Sequence, residues 1–131
     1  MSVGGLVVVT ELNFTLEIAR IPECARLARA AILEALPEGA GRDSLEAIAS
    51  ELVTNAFVHG TGPITITVER QGNALHIAVT NNLPDSGISL TPMNVTSDSD
   101  HGRGLALVEL MAEAWEYAVI DSILTVRATV T

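Results

Sequence analysis

The stretch Asp43–Thr80, DSLEAIASELVTNAFVHGTGPITITVERQGNALHIAVT, changes its apolar period once, and that change sets the fold class. In its first half Leu45, Ile48, Leu52 and Ala56 recur at helical spacing. Asp43 or Ser44 is placed to cap the helix and Glu46 lies near its start. Gly60-Thr61-Gly62-Pro63 stops it after His59. Beyond the stop, ITITVER (64–70) and ALHIAVT (74–80) alternate with period two around Gln71-Gly72-Asn73, the pattern of an antiparallel hairpin. A helix that feeds a hairpin argues for helices layered on a largely antiparallel sheet.

Upstream, residues 6–18 (LVVVTELNFTLEI) are rich in β-branched side chains and alternate at Leu12, Phe14, Leu16 and Ile18, which predicts a strand. From Ile21 the positions Cys24/Ala25, Ala28, Ala31/Ile32 and Ala35 predict a first helix, with Pro22 in its first turn and Pro37 and Gly39 ending it. Downstream, residues 81–101 form a polar, Pro- and Gly-containing connection, far longer than the usual length of about 4–6 residues, and such loops are usually functional. Gly102-Arg103-Gly104 then opens a third helix running to about Glu113. WEYAVID and ILTVRATVT close the chain as two strands around Asp121-Ser122. No internal repeat or linker interrupts this order. The expectation is one domain over residues 1–131: an α+β two-layer sandwich with a mixed, mostly antiparallel sheet and its helices on one face.

Composition narrows the function. The chain has 131 residues, 48% of them hydrophobic but only 3% aromatic, so its core is built from Ala, Val, Leu and Ile. Its mean hydropathy is +0.38, yet no window of about 18 residues is free of charged or strongly polar side chains, and a soluble protein without membrane association is expected. Seven basic against 16 acidic residues give a net charge of −9, which repels a phosphate backbone and disfavours nucleic acid. All seven basic residues are Arg, so the lysine-bearing phosphate loop and Schiff-base chemistry are excluded. The N-terminus has no secretory pattern, and the single Cys24 forms no internal disulfide; a cytoplasmic location is the expectation. Cys24 reads as a small core residue, and Trp115 and Tyr117 as packing groups on a strand.

Two constellations carry chemistry. Glu51, Asn55 and His59 stand at i, i+4 and i+8, so one face of the second helix carries a carboxylate, an amide and an imidazole. An amide oxygen with substrate phosphates suits a hard cation such as Mg²⁺, and a carboxylate one turn away can accept a proton. In His101-Gly102-Arg103-Gly104-Leu105, two glycines let backbone N–H groups approach an anion at the start of a helix. A dinucleotide fingerprint fits poorly, because Leu107 stands where its third glycine belongs and a polar loop precedes it. Each element also has a plain structural reading, the first as a solvated helix face and the second as a tight turn before a helix.

Taken together and in this order, ELVTNAFVHG (51–60) resembles the N-box of the GHKL ATPase superfamily, which includes gyrase, heat-shock chaperone, histidine kinase and mismatch-repair ATPases. HGRGLALV (101–108) resembles its second glycine box. The layout is similar to the Bergerat fold from about Leu12 to Val130. The short chain looks most like the anti-sigma-factor serine/threonine kinases of the actinobacterial branch. The resemblance implies ATP and Mg²⁺ as cofactors, with Asn55 as metal ligand and Glu51 as base or orienting group. Gly102, Arg103, Gly104 and Leu105 would hold the triphosphate, His101 and His59 would border the pocket, and residues 83–101 would form a lid. It further implies a sigma factor or an anti-sigma-factor antagonist as protein partner, and a homodimer. The family carries an Asp after the second hairpin strand to accept a hydrogen bond from the adenine amino group. Here Asn81 holds that place and offers a neutral, weaker acceptor, and Asp85-Ser86-Gly87 supplies a D-x-G only with an insertion. The alternative this departure implies is a regulator that binds its protein partner without kinase chemistry.

Overall fold

The computed structural model describes residues 13–39, 41–84 and 103–131, and the side chains of all of these except 103–106. The elements run β1 (Phe14–Ile18), α1 (Cys24–Ala35), α2 (Arg42–His59), β2 (Thr61–Gln71), β3 (Ala74–Asn82), α3 (Arg103–Met111), β4 (Ala114–Ile120) and β5 (Ile123–Val130). This is the expected order. The part of the first expected strand before Asn13 lies outside the described residues.

The five strands form one sheet in the order β1-β2-β3-β5-β4. All four pairings are antiparallel, so the expected parallel component is absent among the described strands. The reason is topological. β3 and β4, which flank α3, run parallel, but β5 inserts between them and pairs with both. The hairpin turn is tight, with Gln71 facing Ala74 and Gly72 at φ 62°, a conformation favourable to glycine. Asp121 and Ser122 are both left-handed, at φ 53° and 64°, so the β4–β5 hairpin turns on two positive φ angles where the β2–β3 hairpin has one, at Gly72.

Strand alternation sorts the sheet's two faces. Ile64, Ile66 and Val68 of β2, with Leu75, Ile77 and Val79 of β3, point into the core. They meet Leu45, Ile48, Leu52 and Ala56 of α2, and Cys24, Ala28 and Ile32 of α1 add a further apolar stripe. Burying each such Leu or Ile contributes about 1.5–3 kcal/mol, so aliphatic packing suffices to hold α2 on the sheet despite the shortage of aromatics. The opposite face is polar. There hydroxyl contacts link Thr15 to Thr67 (3.3 Å) and Thr80 to Thr125 (3.2 Å) across strands.

The start of α2 differs from expectation. Its N-cap is Gly41, in the left-handed region at φ 92°, while Asp43 lies inside the first turn and provides no side-chain cap. Leu45 N–H donates to the Gly41 carbonyl at 2.8 Å, which starts the helix two or three residues earlier than the polar signal suggests. Asp43 instead lies where a negative charge favours the helix dipole.

Candidate functional site

The site is built around the last three turns of α2. Leu52, Val53 and Ala56 anchor this segment in the core, which leaves Glu51, Asn55 and His59 half-buried along one side. The Asn55 amide nitrogen is buried, and no described residue accepts its hydrogen bond. A buried donor without an acceptor is costly unless a bound group completes it. His59 is the last residue of the helix, and Gly60 leads directly into β2.

At this end of the helix three parts of the chain converge. β3 runs through Asn82, placing Asn81 opposite Leu124 and Asn82 opposite both Thr61 and Ile123. Leu83 N–H donates to the Ser122 carbonyl at 2.7 Å, holding the chain beyond β3 against the β4–β5 turn. Asn81 continues the inward-facing set of β3 and is only 4% exposed, a polar side chain at a core position. Its Nδ2 donates to the Asn82 carbonyl at 2.8 Å. Gly60 lies directly against it. A Cβ there would overlap the Asn81 amide nitrogen and come within 2.7 Å of its Cγ. Gly60 has φ −101° and ψ −174°, ordinary extended backbone, so glycine is needed here for space alone. Asn55 precedes it by roughly 7–8 Å along the helix axis, at the usual rise per residue.

Arg20, between β1 and α1, fixes the same helix end from the other side. Its guanidinium donates to the carbonyl of Phe57, one of the last four of α2, and stacks 5.3 Å from the Phe57 ring centroid. A cation on these carbonyls satisfies orphan acceptors and favours the helix dipole. Nearby, Cys24 is buried, and its burial pushes the thiol above its ordinary range, partly opposed by backbone N–H groups and by Arg20. That fits an inert core residue.

α3 packs against α2 through the fully buried Val108 and places the backbone of Arg103, Gly104 and Leu105 in its first turn. Helix N-termini of this kind present N–H groups to anions. His101, Gly102, Asp85 and Gly87 lie outside the described residues. The structure therefore brings Asn81 to the end of the helix that carries Glu51, Asn55 and His59, with α3 packed beside it. Sequence reasoning treated Gly60 as a helix stop and missed its contact with Asn81; the signal was the glycine's place directly after the polar face. Nothing in the sequence pointed to Arg20.

Among the described residues, no three His, Cys, Asp or Glu side chains cluster to form a metal cage. The donors at hand are oxygens, suited to a hard cation that keeps water and substrate phosphates as its other ligands. A hollow of about 440 Å³ lies elsewhere, on the helix-free face of the sheet, where small Ala78 and Ala114 sit among Glu69, His76, Glu116 and Arg127. It shares no side chain with the α2 site.

Comparison with curated proteins found no match. A family model described as a histidine kinase-like ATPase domain matches residues 14–129, from the first described strand nearly to the end of the last. The chain belongs to the histidine kinase-like ATPase domain family.

Proposed function

We propose that this chain is an ATP-binding serine/threonine protein kinase that acts as an anti-sigma-type regulator in partner switching, transferring the γ-phosphoryl group of ATP to a Ser of a small antagonist protein. Family membership supports ATP, ordinarily with Mg²⁺, as the ligand. The observation that carries the reading to this site is Asn55, whose buried amide nitrogen has no described acceptor one helical turn from the Glu51 carboxylate. The residues fit the group. Asn55 would hold Mg²⁺ through its amide oxygen and give its amide nitrogen to a phosphate or water oxygen. Glu51 would orient the attacking hydroxyl and take its proton. Arg103, Gly104 and Leu105, with His101 and Gly102 before them, would meet the triphosphate at the start of α3. Asn81 would accept from the adenine amino group, ahead of Asp85 and Gly87. His59 would shape the pocket. Bound Mg²⁺ supplies charge neutralisation as the phosphoryl group moves.

Calorimetric titration with Mg-ATP tests this. The reading expects micromolar binding by the wild type, loss of binding in Asn55→Ala, and retained binding without phosphoryl transfer in Glu51→Ala. Equal affinity in wild type and Asn55→Ala would refute the site. The second reading, a regulator that works by protein contact alone, is favoured by the neutral Asn81 and predicts no nucleotide binding by the wild type.

A further inference from the structure

We propose that the free edge of β4 docks an extended segment of a protein partner, one that alternates apolar with basic residues and joins the sheet as a further strand. This surface is separate from the α2 site and does not rest on the ATP reading.

β4 ends the sheet order, and among the described residues only β5 pairs with it. The two-residue turn, with both residues left-handed, makes Ile120 and Ile123 a hydrogen-bonded pair. Counting back from that pair by twos, Ala118 and Glu116 direct their backbone groups to β5, while Val119, Tyr117 and Trp115 turn N–H and C=O to the outer edge. The strand is seven residues long, its register runs without a shift, and AWEYAVI contains no proline or lysine and one charge, Glu116. It therefore lacks the devices that usually blunt an edge against pairing. Its inner row is also incompletely covered. At the other end of the sheet Phe14, Leu16 and Ile18 of β1 are all buried, whereas Trp115 and Tyr117 of β4 are half-buried and Val119 is 45% exposed. An added strand would set every second side chain beside this row, so backbone pairing and apolar burial act together.

Charge selects the occupant. The alternate side chains of the added strand would lie on the helix-free face, next to Glu116. Among the described residues Glu116 forms no ion pair, although Arg127 faces it across the ladder. The hollow of about 440 Å³ on that face reaches Ala114, Trp115 and Glu116, so it opens beside this edge, and Glu69 adds a second carboxylate to its lining. A Lys or Arg in the added strand would meet these carboxylates and approach a chain of net charge −9. A second copy would bring another −9, and pairing two β4 strands antiparallel about Tyr117 would set the two Glu116 side chains on diagonal positions of one face. The edge thus suits a basic partner better than itself.

The test titrates a synthetic peptide of alternating Val and Lys, and one of alternating Val and Glu, into the full chain, with calorimetry for affinity and amide hydrogen exchange by NMR for location. In the free protein the Trp115, Tyr117 and Val119 amides should exchange at least tenfold faster than those of Glu116 and Ala118. The Val-Lys peptide should slow those three at least tenfold and bind at least tenfold more tightly than the Val-Glu peptide. Val119→Pro removes one outward N–H that β5 does not use, so it should weaken the Val-Lys peptide at least threefold and leave the melting temperature within a few degrees of wild type. Glu116→Gln should weaken it at least threefold as well. Slow exchange of the three amides in the free chain would mean that the edge is already covered, and overturns the proposal. So does a Val-Lys peptide that fails to bind, or binds without protecting them. Protection that rises with protein concentration alone identifies a second copy as the occupant and overturns it equally.

Discussion

Adding one methyl group at Gly60 should damage this protein more than its size suggests. Gly60→Ala carries no backbone strain, because φ −101° and ψ −174° suit any residue, so the cost arises from contact. The new Cβ would overlap Asn81 Nδ2 and lie 2.7 Å from Asn81 Cγ and 2.8 Å from the Asn82 carbonyl oxygen. Two of these three neighbours are parts of one side chain only 4% exposed, and the third is backbone in a paired strand, so neither yields easily. Overpacking of this kind costs about 1–3 kcal/mol. If Asn81 swings away from the Asn82 carbonyl, the lost buried hydrogen bond adds about 1–3 kcal/mol. Restricting the unfolded chain returns about 0.4–1 kcal/mol, which leaves a net loss of about 1–6 kcal/mol, with its centre near 3 kcal/mol. For a chain of this length, between the size classes with known sensitivities, that central value corresponds to a fall in melting temperature of about 6–15 °C. Far-UV circular dichroism melting of the ligand-free protein measures it, with Gly72→Ala as control. Gly72 sits at φ 62° with no atom within 4 Å of the place its Cβ would take, so its substitution meets strain without a clash and should cost about 1–2 kcal/mol. If Gly60→Ala loses no more stability than Gly72→Ala, the close approach of Gly60 and Asn81 is refuted.

Asn55→Ala should abolish nucleotide binding yet leave the melting temperature within a few degrees of wild type, since it removes a buried donor that has no described acceptor; calorimetry beside thermal melting checks both halves. Arg20→Met should lower stability by about 1–2 kcal/mol in urea titration, through loss of the cation on the Phe57 carbonyl. A buried Ile32→Ala change should cost about 2–5 kcal/mol by the same assay and leave nucleotide affinity unchanged below the transition. The Cys24 thiol should resist a disulfide reagent in the native protein and react once urea unfolds it. Because folding raises the pKa of Cys24, its contribution is fully present below the unfolded thiol value of about 8.5 and is lost as pH rises toward the higher folded value. Wild type should therefore lose more stability than Cys24→Ala between neutral and alkaline pH.

The order of elements was legible because it depends on near neighbours. The change from helical to alternating period across Gly60 placed α2, β2 and β3. The positions that recur, Leu45, Ile48, Leu52 and Ala56 on the helix and Ile64, Ile66 and Val68 on the strand, are those the structure buries. The polar face of Glu51, Asn55 and His59 was legible for the same reason, since the spacing of a helix is a property of the chain over one or two turns. Which distant segments meet around α2 and the sheet was not. The insertion of β5 between β3 and β4, the left-handed Gly41 in place of a side-chain cap, and the reach of Arg20 to the Phe57 carbonyl each join segments whose approach no local pattern encodes. Asn81 shows the difference most clearly. The chain alone presents a neutral amide where a carboxylate was expected, which reads as a loss. Only the folded corner of α2 and β3 supplies the Asn82 carbonyl and the bare Cα of Gly60 that give this amide its orientation. Periodicity is carried by covalent spacing, whereas the environment of a buried polar atom is assembled by residues that the fold alone brings together.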